Sequence, residues 1–247
     1  MSRRAKAPEW AQAKIPDTAW DRRGGGNVDD EKTMCGRFIL LADLSVIVES
    51  FRIEEVACEY RPGRNIAPGR QISAVIRDDV NKLTDFRWGL IPSWAKDPSI
   101  GNRMFNARAE TVSEKPSFRE AFERRRCLIV ADGFYEWQKL GRIKKPLRFS
   151  LKSGQPFGLA GLYETWISPE KKPVHTCTII TTAPNDIIRP IHDRMPVMVR
   201  KELEDFWMDP HACNQKELLS ILKPYPTEEM EASEANLPGQ EHPHLIM

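Results

Sequence analysis

The chain has 247 residues, of which 40% are hydrophobic and 29% charged, with a net charge of +2. That length suits one domain, or one domain with a tail, and is ample for a buried core. The balance excludes the disordered and fibrous classes. No apolar run approaches membrane-spanning length and no secretory signal is present, so a cytoplasmic location without a membrane partner is expected, nucleoid-associated if the source is bacterial.

Residues 1–33 show no sustained apolar period, include Gly24, Gly25 and Gly26, and close on Asp29, Asp30, Glu31 and Lys32. This is the composition of an unstructured leader. Gly, Arg, Glu and Lys are also what purine-rich message encodes. The segment therefore reads either as an untranslated region ahead of a true start at Met34, or as a propeptide removed before Cys35.

From Cys35 onward, short runs rich in β-branched and aromatic residues predict strands at 37–41, 72–77, 83–88, 127–131, 134–138, 147–151, 157–163, 176–182 and 196–199. Helical patterns fall at 44–51, 117–125, 201–207 and 215–222, the last stopping before Pro224. The expected organisation is a leader over 1–33, one β-dominated domain over 34–226 and a loosely held tail over 227–247.

Cys35, Cys58, Cys127, Cys177 and Cys213 are odd in number, widely spaced and without a Cys-x-x-Cys pair, which argues for reduced thiols. His242 and His244 in the tail do not make a metal site. With no nucleotide-binding loop and no metal-ligand spacing, neither cofactor nor metal is expected.

Three polar segments fall between predicted strands, where a rigid sheet can present them. In Asn106-Ala107-Arg108-Ala109-Glu110, an extended backbone would put Asn106 and Arg108 on one face, a neutral hydrogen-bonding group beside an anion clamp. The same run also suits a solvated edge. In Asp132-Gly133-Phe134-Tyr135-Glu136-Trp137, one carboxylate is bracketed by aromatic rings, and desolvation there disfavours its ionised form, as a general acid or base requires. Strand alternation offers the opposite reading, with Glu136 in water and Tyr135 and Trp137 packed inward. Ile191-His192-Asp193-Arg194-Met195-Pro196 holds a histidine flanked by charges, a proton shuttle or a structural residue.

Cys35 differs from the other cysteines through its position behind Met34. If it becomes the first residue, one carbon carries a thiol and an α-amine of pKa about 8, partly neutral at physiological pH. A neutral amine attacks an aldehyde, and the neighbouring sulfur closes the imine to a thiazolidine. The ring-opened sugar of an abasic DNA site is a prominent macromolecular aldehyde. A second reading pairs Cys35 with His192 and a carboxylate as a thiol hydrolase. DNA would also need cationic and aromatic side chains, and Arg37, Arg103, Arg108, Arg194, Trp88, Trp94, Phe105 and Trp137 stand near these segments.

Six motifs occur in order: Met34-Cys35-Gly36-Arg37-Phe38, Asn65-Ile66-Ala67-Pro68-Gly69, Arg87-Trp88-Gly89-Leu90-Ile91-Pro92, Asn106-Ala107-Arg108-Ala109-Glu110-Thr111, Gly133-Phe134-Tyr135-Glu136-Trp137 and Ile191-His192-Asp193-Arg194-Met195-Pro196. Together, from Met34 to about Tyr225, they resemble the SOS-response-associated peptidase (SRAP) family. The resemblance implies an α+β fold: a single β-dominated domain of twisted, mostly antiparallel sheets forming an open barrel, with a few flanking helices. It implies an abasic-site sensor that binds single-stranded DNA and shields the lesion by covalent attachment; separately, a monomer is expected. It also implies roles: Cys35 as crosslinking nucleophile, Asn106 positioning amine and sugar, Glu136 transferring protons, and His192 serving imine chemistry and crosslink reversal. Arg37, Arg108 and Arg194 would contact phosphates, and Asn65, Trp88, Met104 and Phe105 would line the groove. The leader departs from the pattern, since family members expose the cysteine by losing one initiator methionine. The alternatives are a thiol-dependent peptidase that removes its own leader and a noncovalent single-stranded DNA binding module.

Overall fold

A computed structural model describes residues 36–141, 143–235 and 237. Cys35, His242, His244 and the leader lie outside the described residues. The larger sheet contains β2 (Glu55–Val56), β4 (Gln71–Arg77), β5 (Asn81–Trp88), β7 (Arg126–Ala131), β10 (Phe157–Ile167), β11 (Pro173–Thr182) and β12 (Met195–Pro196), in the order β12-β11-β10-β7-β4-β5-β2. Most neighbours are antiparallel, but β11 also pairs with β5 in parallel through Thr176 with Arg87 and Cys177 with Trp88. That contact closes β5, β4, β7, β10 and β11 into a five-stranded barrel. The strand-dominated α+β fold is thus present, with its ring closed where an open one was expected. Every residue of β7 is buried, as in a strand covered on both faces, which explains its continuous apolar run.

The second sheet runs β13 (Met230–Glu234), β9 (Ile143–Leu151), β8 (Gly133–Leu140), β1 (Phe38–Leu40) and β3 (Gly63–Ile66). Its inner face joins the main core, where Phe134 and Phe149 stack at 5.4 Å. Its outer face carries a small cluster of Ile39, Tyr135 and Leu237, with Trp137 and Ala235 against it. A further short strand, β6 (Asn106–Arg108), lies parallel to β11, with Asn106 opposite Ile179 and Arg108 opposite Thr181.

Four α-helices among the described residues flank the sheets: α1 (Leu44–Ser50), α2 (Arg119–Arg124), α3 (Glu204–Met208) and α4 (Gln215–Ile221). Asn214 starts α4 by accepting from the Glu217 backbone N–H and donating to its carboxylate at 2.7 Å, a reciprocal cap. None of the described helices is long and apolar enough to cross a membrane.

The chain past 226 corrects one expectation. Met230–Glu234 is not a loose tail but pairs along β9 from Leu151 to Leu147. Its anchor is Met230, 1% exposed in the main core, while the four residues after it are exposed. One buried side chain in an acidic stretch gives no alternation to read. The strand expected at 196–199 shortens to Met195–Pro196, followed by an isolated bridge from Leu159 to Met198.

Candidate functional site

The carboxylate Glu136 is 2% exposed. Phe134 and Glu136 share one face of β8, and Phe134 packs into the core, so alternation sends Glu136 inward as well. Tyr135 and Trp137 occupy the outer cluster instead. The alternation therefore runs opposite to the reading that left Glu136 in water. The sequence pattern fixes only that alternate residues share a face; the stacked Phe134 and Phe149 decide which face is inside.

The same strand positions the N-terminal segment. Phe38 lies opposite Phe134, and the Tyr135 N–H donates to the Arg37 carbonyl at 2.9 Å. Continuing that register brings Gly36 opposite Glu136. Arg37 donates to Asn65 Oδ1 at 3.2 Å across the neighbouring strand β3. Arg37, Asn65 and Glu136 are thereby grouped at the end of the second sheet.

Asn106, Arg108, His192 and Arg194 form the other group, around the end of β11. Arg194 grips both Glu110 carboxylate oxygens at 2.6 and 2.9 Å and donates to the Thr181 carbonyl at 2.6 Å. Its hydrogen bond holds the Glu110 carboxyl below the usual range. The Arg194 side chain is 12% exposed, and these donors tie the segment after β6 to β11. Its backbone N–H donates to His192 Nδ1 at 3.1 Å, and Asp193 Oδ1 lies 3.1 Å from the same nitrogen. The backbone contact needs Nδ1 unprotonated, which leaves the proton of neutral His192 on Nε2.

Trp88 joins the two groups. Its ring lies 5.3 Å from Phe38 and 6.3 Å from Phe105, and its Nε1 donates to the Phe105 carbonyl at 2.8 Å. At 1% exposure it cannot touch a base, which corrects its assignment to a groove wall; it supports Phe105, the residue before Asn106. Gly89 follows with φ of 135°, and a Cβ there would sit 2.5 Å from the Gly101 carbonyl. Only glycine accommodates that approach. Met104 and Phe105 are half-buried, Arg108 is exposed, and Trp94 is 58% exposed.

Burial holds back three of the remaining cysteines as nucleophiles. Burial pushes the Cys127 and Cys177 thiols well up and the Cys58 thiol to about 12, so thiolate is scarce; Cys213 is free and exposed. Among the described residues, no three His, Cys, Asp or Glu side chains gather as a metal site.

A closed barrel with a second sheet, presenting a buried carboxylate beside the entry of the N-terminal strand and a histidine held by a neighbouring backbone donor, defines a class of small α+β domain. The chain belongs to the SOS response associated peptidase (SRAP) family, whose model matches residues 34–236. It is 48% identical over 221 residues to the abasic site processing protein YoqW of Bacillus subtilis, covering 86% of this chain and 99% of that protein. It is 31% identical over 198 residues to the abasic site processing protein HMCES of Gallus gallus, covering 67% of this chain and 59% of that protein. A crystal structure of a protein from Bacteroides thetaiotaomicron is similar with a TM-score of 0.68 and 28% identity, over 83% of this chain and 90% of that one.

Proposed function

We propose that this protein captures abasic sites in single-stranded DNA, forming a covalent thiazolidine through the α-amine and thiol of Cys35 once that residue is N-terminal. The observation that carries the reading is the buried Glu136 on β8, the strand that pairs with Phe38 and Ile39 and so runs beside the chain leading from Cys35. The abasic site processing relatives support the substrate class.

The neutral amine attacks the aldehyde carbon of the ring-opened sugar, a C–N bond forms and water leaves, giving an imine. Sulfur then adds to the imine carbon while the thiol proton passes to nitrogen. One water is lost in total and nothing is oxidised or reduced. Glu136 relays these protons, Asn106 orients the amine or the sugar, and His192 serves the imine steps and their reversal. Arg37 and Arg108 meet phosphates, Asn65, Met104 and Phe105 flank the strand, and Arg194 and Trp88 act behind them as supports.

The chemistry requires a free amine on Cys35, so residues 1–34, Met34 included, are absent from the active form. The family match begins at Met34, in keeping with either a start there or removal of the leader. The test incubates a chain beginning at Met34, the full chain and Cys35→Ala with single-stranded DNA bearing one abasic site. A denaturation-resistant adduct is expected from the first alone, or also from the full chain if it has shed its leader. An equal adduct from Cys35→Ala would refute the assignment, and salt-sensitive binding with no adduct from any form would leave a noncovalent binding module.

The peptidase in the family's name favours a second reading, self-removal of the leader by Cys35 with Glu136 and His192. Intact mass of the purified full chain decides it. Loss of residues 1–34 in wild type but not in Glu136→Ala or His192→Ala supports self-processing, and an intact leader in wild type excludes it.

A further inference from the structure

The outer face of the second sheet carries a row of cations that the chemistry above does not use. The Tyr135 N–H donates to the Arg37 carbonyl at 2.9 Å on one side of β8, and Tyr135 lies opposite Arg148 of β9 on the other. Residues opposite one another share a face, so Arg148 stands on the outer face with Tyr135. Arg37 and Arg148 are two strand spacings apart, about 10 Å.

A second arginine reaches the same place from β3. Phe38 is opposite Ile66 and Leu40 opposite Gly63, so Arg64 and Asn65 together face the single residue Ile39, a bulge that sets both beside it. The Tyr135 hydroxyl donates to the Arg64 carbonyl at 3.0 Å. Burial pushes that hydroxyl's pKa up, and the Arg148 and Arg64 guanidiniums pull it the other way, which puts both charges near one phenol.

Arg148 is poorly satisfied where it lies. Its Nε would stand 3.0 Å from a Cβ on Gly133, so the side chain runs over that glycine, opposite Ile39. Its one hydrogen bond, from Nη2 to the Asp132 carbonyl, is 3.4 Å long, and its buried Nε has no acceptor among the described residues. The nearby Asp132 carboxylate accepts instead from the Leu41 and Ala42 N–H groups. Among the described residues, neither Arg64 nor Arg148 forms an ion pair. Like charges gathered on one face, with a buried donor left over, cost stability until an anion arrives. The guanidinium fork matches a phosphate.

We infer that Arg64 and Arg148 clamp a backbone phosphate of the single strand, neighbouring the one at Arg37, so that the DNA continues across the outer face of the second sheet. The contact rests on the DNA reading given above.

The test measures noncovalent binding of the full chain to a single strand with an aldehyde-free abasic analogue, in which each phosphate in turn is replaced by an uncharged methylphosphonate. One linkage is expected whose neutralisation weakens wild type and leaves R64Q/R148Q unaffected, a coupling that locates the clamp. From about 50 to 200 mM salt, losing one phosphate contact lowers the log–log slope by about 0.7, so R64Q/R148Q should lose roughly 2.6-fold less affinity than wild type across that range. Arg148→Lys keeps the slope, because the charge remains. The urea midpoint of R64Q/R148Q is expected to match or exceed that of wild type, since the repulsion and the unmet donor are gone.

A scan in which a linkage couples to Arg37→Gln but none to R64Q/R148Q overturns the clamp and leaves the DNA reading intact. Weakening of R64Q/R148Q at every linkage alike, with a lower urea midpoint, reports a structural role and also overturns it. Wild type that does not bind the strand removes the DNA reading and this inference with it. Arg148-dependent binding of a polyglutamate peptide, with no coupled linkage, would assign the row to an acidic protein segment instead.

Discussion

Glu136 concentrates the chemical claim, since it is a buried carboxylate on a face otherwise given to phenylalanines. Glu136→Gln keeps shape and polarity but cannot relay a proton. It is expected to slow adduct formation by roughly 10²–10⁴-fold with noncovalent affinity for the aldehyde-free strand unchanged, as read by single-turnover kinetics beside binding. Equal losses in rate and affinity would make it a binding residue. The residue types at the site were legible in the sequence: Asn106, Glu136 and His192 each sit in a polar motif beside a strand. Their surroundings were not, because Arg194 meets Glu110 across 84 positions, and nothing local marks Trp88 as buried support rather than exposed ring.

At the scale of elements, one side chain fastens several. Arg126, 2% exposed at the start of β7, donates to the carbonyls of Phe122, Glu123, Trp207, Asp209 and Ala212. It thus closes the carbonyl ends of both α2 and α3, which have no other helical turn to satisfy them. Arg126→Met would strand those acceptors and is expected to cost on the order of 3 kcal/mol in urea unfolding; a loss below about 0.5 kcal/mol, typical of a surface change, would contradict this role. The long strands were legible because apolar runs and alternation persist in them. β2, β3, β6 and β13 were not, being short and held by neighbours: β6 by three register pairs with β11, β13 by its partner β9.

At the scale of the whole molecule, the sheets and helices are locked by buried polar contacts whose cost depends on pH. Glu204 at the start of α3 is pushed up to about 7 by burial, against the opposing hydrogen bond from Lys201 and with Asp205 and Arg52 nearby. Lys201 also donates to the Ser50 carbonyl and lies 4.7 Å over the Phe51 ring, so this corner joins α1 to α3. A carboxyl raised above its ordinary 4.5 is protonated more readily in the folded chain than in the unfolded one. Its contribution is complete below about 4.5 and lost as pH rises through about 7. Stability is expected to fall over that window, and Glu204→Gln to flatten the fall; an unchanged profile would contradict it.

The closed barrel and its companion sheet converge on the strand that leads from Cys35, which makes the state of that residue the central claim. The most direct measurement is the intact mass of the denatured complex between a chain beginning at Met34 and single-stranded DNA with one abasic site, followed by identification of the modified peptide. The expected mass is that of the methionine-free protein plus the DNA less one water, with the DNA remnant on Cys35. Unmodified protein, or a DNA adduct on a lysine with Cys35 intact, would contradict it.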